Sequence, residues 1–107
     1  MNTARIELLR QYLEEQPDDP FNGYALAMEY MKGQPQKALE YLAILLEKHP
    51  DYLPTYYHAA ALYAAMEQTD KASLLYEQGM ELARIQKNQK THDELQRAYR
   101  NMLDEQE

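Results

Sequence analysis

Apolar positions recur at steps of three and four residues from one end of the chain to the other, and prolines mark most of the breaks between runs. Ile6, Leu9, Tyr12 and Leu13 form the first stripe, and their spacing predicts a helix over 3–15. Gln16-Pro17-Asp18-Asp19-Pro20 closes it, because a residue before proline avoids the α region. Pro20 suits the first position of a second helix, where a missing N–H costs nothing, and Asp19 suits its cap. Gly23, Leu26, Ala27 and Tyr30 form its stripe; Gly33 is expected to close it in the left-handed conformation, and Pro35 to open the third helix. That helix, 35–49, turns Ala38, Leu39, Leu42, Leu45 and Leu46 inward and stops at Pro50. Pro54 opens a fourth, with Tyr56, Ala59, Ala60 and Tyr63 inward. Thr69 or Asp70 is the expected N-cap of a fifth, which carries Ala72, Leu75, Tyr76, Gly79, Leu82 and Ala83 and runs to near Lys87. Thr91-His92-Asp93-Glu94 reads as a capping box with Thr91 at the N-cap. It launches a last helix with Leu95, Ala98, Tyr99, Met102 and Leu103 inward, and residues 104–107 are expected to fray. Val is absent and strong helix formers dominate, so the fold class is all-α with about six helices.

The stripes repeat. Shifted by 33, Leu9, Tyr12, Leu13, Pro17, Ala27 and Tyr30 land on Leu42, Leu45, Leu46, Pro50, Ala60 and Tyr63. Shifted by 34, Ala38, Leu42, Leu45 and Leu46 land on Ala72, Tyr76, Gly79 and Met80. A fixed period of this size means stacked helical hairpins. Small residues (Ala27, Ala38, Ala60, Ala72, Gly79) then mark close helix approaches, and Tyr30, Tyr63 and Tyr76 fill the gaps between hairpins. A glycine inside a helix costs about 1 kcal/mol against alanine, so Gly79 is expected where packing requires the space.

Tyr56, Ala59-Ala60 and Tyr63, followed by Ala72, Tyr76 and Gly79, resemble the tetratricopeptide repeat in nearly every signature position. Leu26-Ala27 and Tyr30, then Ala38, Leu42, Leu45 and Pro50, form a second copy upstream. The chain departs from the pattern at three places: Gly23 stands where a large aromatic belongs, one residue is missing between Tyr30 and Ala38, and Arg84 replaces the closing proline. The resemblance implies a right-handed α-solenoid of helix hairpins in a single domain over 1–107: an N-terminal half-repeat helix (3–16), one repeat over 17–50, a second over 51–88, and a C-terminal capping helix (91–105).

It also implies a function: holding a peptide segment of a partner protein in a concave groove lined by the first helix of each hairpin. The residues left over from packing on those helices are Phe21, Tyr24, Met28 and Met31, then Tyr57, His58, Ala61 and Ala64, with Arg97 and Arg100 joining from the last helix. Tyrosine offers contact area with few torsions to freeze, and methionine repacks easily. Some members of the family clamp a partner's terminal carboxylate with Lys and Asn; here Tyr24, Met28 and His58 occupy those places. The expected partner is therefore an apolar or aromatic segment with basic flanks.

Charge and composition narrow the picture further. The net charge of -7 argues against nucleic acid and anionic membranes, since phosphate contact needs a basic surface. No 18-residue apolar run exists to span a bilayer, and the N-terminus lacks the apolar core of a signal peptide, so a cytoplasmic location is expected. The absence of cysteine excludes disulfides and thiolate metal sites. His49, His58 and His92 show no metal-ligand spacing, Ser73 is the only serine and has no histidine beside it, and the three glycines build no phosphate loop. Neither catalysis nor a cofactor is expected. Charge is uneven, however: five bases and two acids between Arg84 and Arg100 give a local +3 against an acidic body. Head-to-tail self-assembly, as a homodimer through the terminal helix, is the alternative this favours.

Overall fold

In a computed structural model, which describes residues 1–106, six helices follow one another: α1 (Thr3–Glu15), α2 (Pro20–Tyr30), α3 (Pro35–Lys48), α4 (Pro54–Ala65), α5 (Thr69–Ile85) and α6 (Gln89–Glu105). The fold is all-α, of helices packed in sequential pairs. The chain forms two compact units, 1–55 and 56–107, so the division falls inside the first turn of α4.

In the N-terminal unit α2 lies against both α1 and α3. Sandwiching explains its sequence: Asn22, Gly23, Ala25, Leu26, Ala27, Glu29 and Tyr30 are all buried, leaving only a narrow outward face. Pro20 occupies the first turn and the Asp19 carboxylate accepts from the Phe21 N–H at 2.9 Å, as the sequence predicts. Ile6 and Leu9 of α1 and Ala38, Leu42 and Leu45 of α3 close the core. Tyr12 departs from its expected inward place and is 43% exposed.

In the C-terminal unit α5 packs on α6, and Tyr56 of α4 approaches α5 closely at Gly79. A Cβ built on Gly79 would stand 2.8 Å from Tyr56 Cβ and 3.0 Å from Leu95 Cδ1. Gly79 is therefore small because both neighbouring helices converge on it, as its place in the pattern implies. Leu95 and Met102 are buried on α6, but Leu103 is 43% exposed rather than inward.

The helix ends hold the other differences. Gly33 does not take the left-handed conformation; Glu67 (φ 60°) and Lys87 (φ 59°) do so instead. After each of those residues the next N–H reaches back five residues, Gln68 to Tyr63 O at 2.9 Å and Asn88 to Ala83 O at 2.8 Å. The turn between Tyr30 and Ala38 is one residue shorter, so Gln34 N–H bonds to Tyr30 O at 2.7 Å with no left-handed residue between. Neither Thr69 nor Asp70 caps α5; Gln68 holds that place without a side-chain bond. Nor is Thr91 the cap of α6: the helix starts at Gln89, and Asn88 Oδ1 accepts from the Thr91 N–H at 3.0 Å. The helix stays regular through Glu105, past the point where fraying was expected, and Gln106 Nε2 donates to Thr69 Oγ1 at 2.6 Å; residue 107 lies outside the described residues.

Candidate functional site

Two faces collect the side chains that packing leaves over, one in each unit. In the N-terminal unit the narrow outward face of α2 carries Phe21, Tyr24 and Met28 into one cavity of about 420 Å³. Phe21 is 48% exposed, while Tyr24 and Met28 are half-buried. Tyr24 is held edge-on by Tyr52, ring centroids 5.7 Å apart, and partial burial beside that ring pushes its phenol above the ordinary value. The opposite wall is α1 with Asn2 and Arg5, and Lys32 closes one end.

Glu29 sits under this cavity. Its carboxylate is buried and accepts the Asn2 backbone N–H at 3.0 Å, with Lys32 Nζ at 3.2 Å and Arg5 Nε at 3.4 Å. The Asn2 amide, followed by Lys32 and Arg5, holds the carboxyl below the usual range. One acid is thus shared by two bases, and its bond to the Asn2 amide fixes the start of α1 on α2. Pattern reading passed over Asn2, Arg5, Glu29 and Lys32; the signal available was an acid, Glu29, set between Met28 and Tyr30 in an otherwise apolar helix.

In the C-terminal unit Tyr57 of α4 and Arg97 of α6 share a cavity of about 560 Å³ with Lys90, Asp93, Glu94 and Asn101. Ala61 and Ala64 line a different one, about 710 Å³, against Tyr76, Met102 and Gln106. His58 is half-buried with its ring edge-on to Tyr57 at 5.4 Å, and burial pulls its imidazole below the ordinary value. The structure thus joins Phe21 to Tyr24 and Met28, and Tyr57 to Arg97, while Met31 instead serves as the C-cap of α2. Arg100 is exposed on α6 and lines neither of these two cavities.

Much of the tyrosine content is architectural. Tyr30 stacks on Tyr41 at 5.7 Å, and Tyr76 stacks on Tyr99 at 5.5 Å. The Tyr99 hydroxyl donates to Glu77 at 2.8 Å. Asp19, an acid near the first loop, is accounted for as a helix cap. Among the described residues no group of three or more His, Asp or Glu is disposed to hold a metal ion, and no helix is long and apolar enough to cross a membrane.

Comparison with known proteins gives a family. The solution structure of a tetratricopeptide repeat domain protein from Salinibacter ruber is 44% identical over 80% of this chain and 88% of its own, with a TM-score of 0.75. The chain belongs to the tetratricopeptide repeat family. A crystal structure of a tetratricopeptide repeat domain protein from the same organism agrees: 44% identity, TM-score 0.75, 78% of this chain and 94% of its own. Neither the protein-family models nor the curated proteins give a match. A tetratricopeptide repeat domain is generally a protein-interaction module and typically non-catalytic. Ala27, Ala38, Ala60, Ala72 and Gly79, the small residues of the repeat, are all buried.

Proposed function

We propose that this chain is a cytoplasmic adaptor that binds a peptide segment of a partner protein on the faces α2 and α4 present, the faces that line the concave groove in its family. The observation that carries the reading is the grouping of Phe21, Tyr24 and Met28 in one cavity of about 420 Å³. Three large apolar side chains left half open on an otherwise buried helix suit an apolar or aromatic segment. At longer range the net charge of -7 favours basic flanks on the partner. In the C-terminal unit Tyr57 supplies the corresponding aromatic contact, beside Arg97.

The test is affinity capture from native lysate with the wild type and with a Met28→Ala/Tyr57→Ala double variant, folding checked by circular dichroism. A protein retained by the wild type and reduced at least about tenfold on the folded variant supports the reading, since two anchors at about 1 kcal/mol or more each act together. Equal capture by both overturns it.

A second reading, assembly into homodimers, draws on Leu103, 43% exposed on the terminal helix α6, and on the basic stretch that leads into it. It requires a mass that rises with concentration and falls with added salt. A constant monomer mass at low salt and high concentration removes it.

A further inference from the structure

The internal repeat places Gly23 in register with Tyr56, and Leu45 in register with Gly79. The two repeats exchange large and small at the same pair of positions. In the C-terminal unit Tyr56 is 7% exposed and its Cβ presses on Gly79. In the N-terminal unit Leu45 supplies the bulk: a Cβ built on Gly23 would meet Leu45 Cδ2 at 3.6 Å, an ordinary contact. A leucine does not replace an aromatic ring. Beside Gly23 a cleft of about 220 Å³ remains, walled by Leu13, Pro17, Tyr41, Ile44 and Leu45. Ile44 is 49% exposed on its rim, with Lys48 and His49 alongside.

We infer that this cleft receives an aromatic side chain of a partner polypeptide, at a site separate from the Phe21, Tyr24 and Met28 cavity. The repeat itself states the chemistry: its other copy fills the corresponding place with tyrosine. The lining agrees in kind: it includes two ring-bearing side chains, Tyr41 (stacked on Tyr30) and His49, and the cation of Lys48, partners suited to an aromatic guest.

The test uses the full chain and two blocked tripeptides, acetyl-Ala-Tyr-Ala-amide and its leucine analogue, titrated while backbone amide shifts are followed by NMR. The tyrosine peptide should saturate with an affinity on the order of ten millimolar, the reach of one buried ring. Its shifts should centre on Gly23, Ile44 and Leu45, and the leucine peptide should bind at least about tenfold more weakly. Gly23→Phe, which fills the cleft from within, should remove the saturable shifts. Ile44→Asp, at an exposed position that leaves the fold intact, should weaken binding at least about tenfold. Equal binding of the two peptides, indifference to Ile44→Asp, or shifts centred on Phe21 and Met28 would each overturn the inference. So would shifts at Ile44 that depend on protein concentration without peptide, which would assign the cleft to a second copy of the chain.

Discussion

Single positions set the tolerances of this protein, and its glycines show the contrast. Gly79 has Tyr56 Cβ 2.8 Å from where its own Cβ would stand, and a Cβ is fixed to its helix backbone and cannot swing aside. Gly79→Ala should therefore destabilise by about 1–3 kcal/mol through overpacking, despite alanine's better helix propensity. Gly23 has only an ordinary contact to Leu45 at 3.6 Å. Gly23→Ala should stabilise by up to about 1 kcal/mol. Thermal or urea unfolding of the two variants should move in opposite directions, and a shared sign would show the small-large exchange between repeats to be misread. The repeat pattern already sets the two apart, Gly79 at a small position and Gly23 where a large aromatic belongs. The neighbour across each interface supplies the distance that decides the sign.

Helix ends are where element and sequence agree least. Glu67 and Lys87 hold left-handed conformations that cost a side-chain-bearing residue about 1 kcal/mol. Glu67→Gly and Lys87→Gly should each raise stability by about 0.5–1 kcal/mol, the relieved strain exceeding the added freedom of the unfolded chain. The cap of α6 gives a sharper comparison. Asn88→Ala removes the bond to Thr91 N–H and should cost about 1 kcal/mol, whereas Thr91→Ala, the cap that the pattern proposes, should cost less than half of that. Chemical denaturation of the pair decides between the two starts. The pattern chose Thr91 because Glu94 follows at capping-box spacing, but Asn88 lies one turn earlier and begins the helix first. A local motif identifies a competent cap; it does not say which of two competent caps the turn geometry reaches.

At the scale of the whole molecule, acid should weaken both units in separate pH windows. The His58 imidazole lies below its ordinary value in the folded chain because burial disfavours its charge. The unfolded state therefore binds the proton first, and stability falls as pH drops below the ordinary imidazole range, until the folded pKa is passed. Glu29 lies below the usual carboxylate range because the Asn2 amide, Lys32 and Arg5 favour its charge. Its contribution is complete above that range and is lost as pH falls through the folded value. Melting temperature against pH should show a first loss that His58→Gln lacks, and a second at lower pH that Glu29→Gln lacks. Glu29→Gln should also melt below wild type at neutral pH, because Arg5 and Lys32 lose their counter-charge. Coincident profiles for wild type and both variants would refute these assignments.

The sequence by itself determined the six helices, the repeat and the family resemblance, because apolar periodicity, prolines and small residues act through local chain geometry and are written in order along the chain. It also nominated the residues of the α2 face, by subtraction of those needed for packing. The tertiary structure decided what brings distant residues together. Glu29 became the anchor of α1 only because Asn2 and Arg5, far away in sequence, reach it. Tyr12 and Leu103 came to face solvent although the apolar stripe includes them, and the bulk missing at Gly23 was answered only in part from Leu45 on α3. Helix formation depends on neighbours within one turn; burial and cavities depend on which surfaces happen to meet, and a one-dimensional pattern holds no record of that meeting.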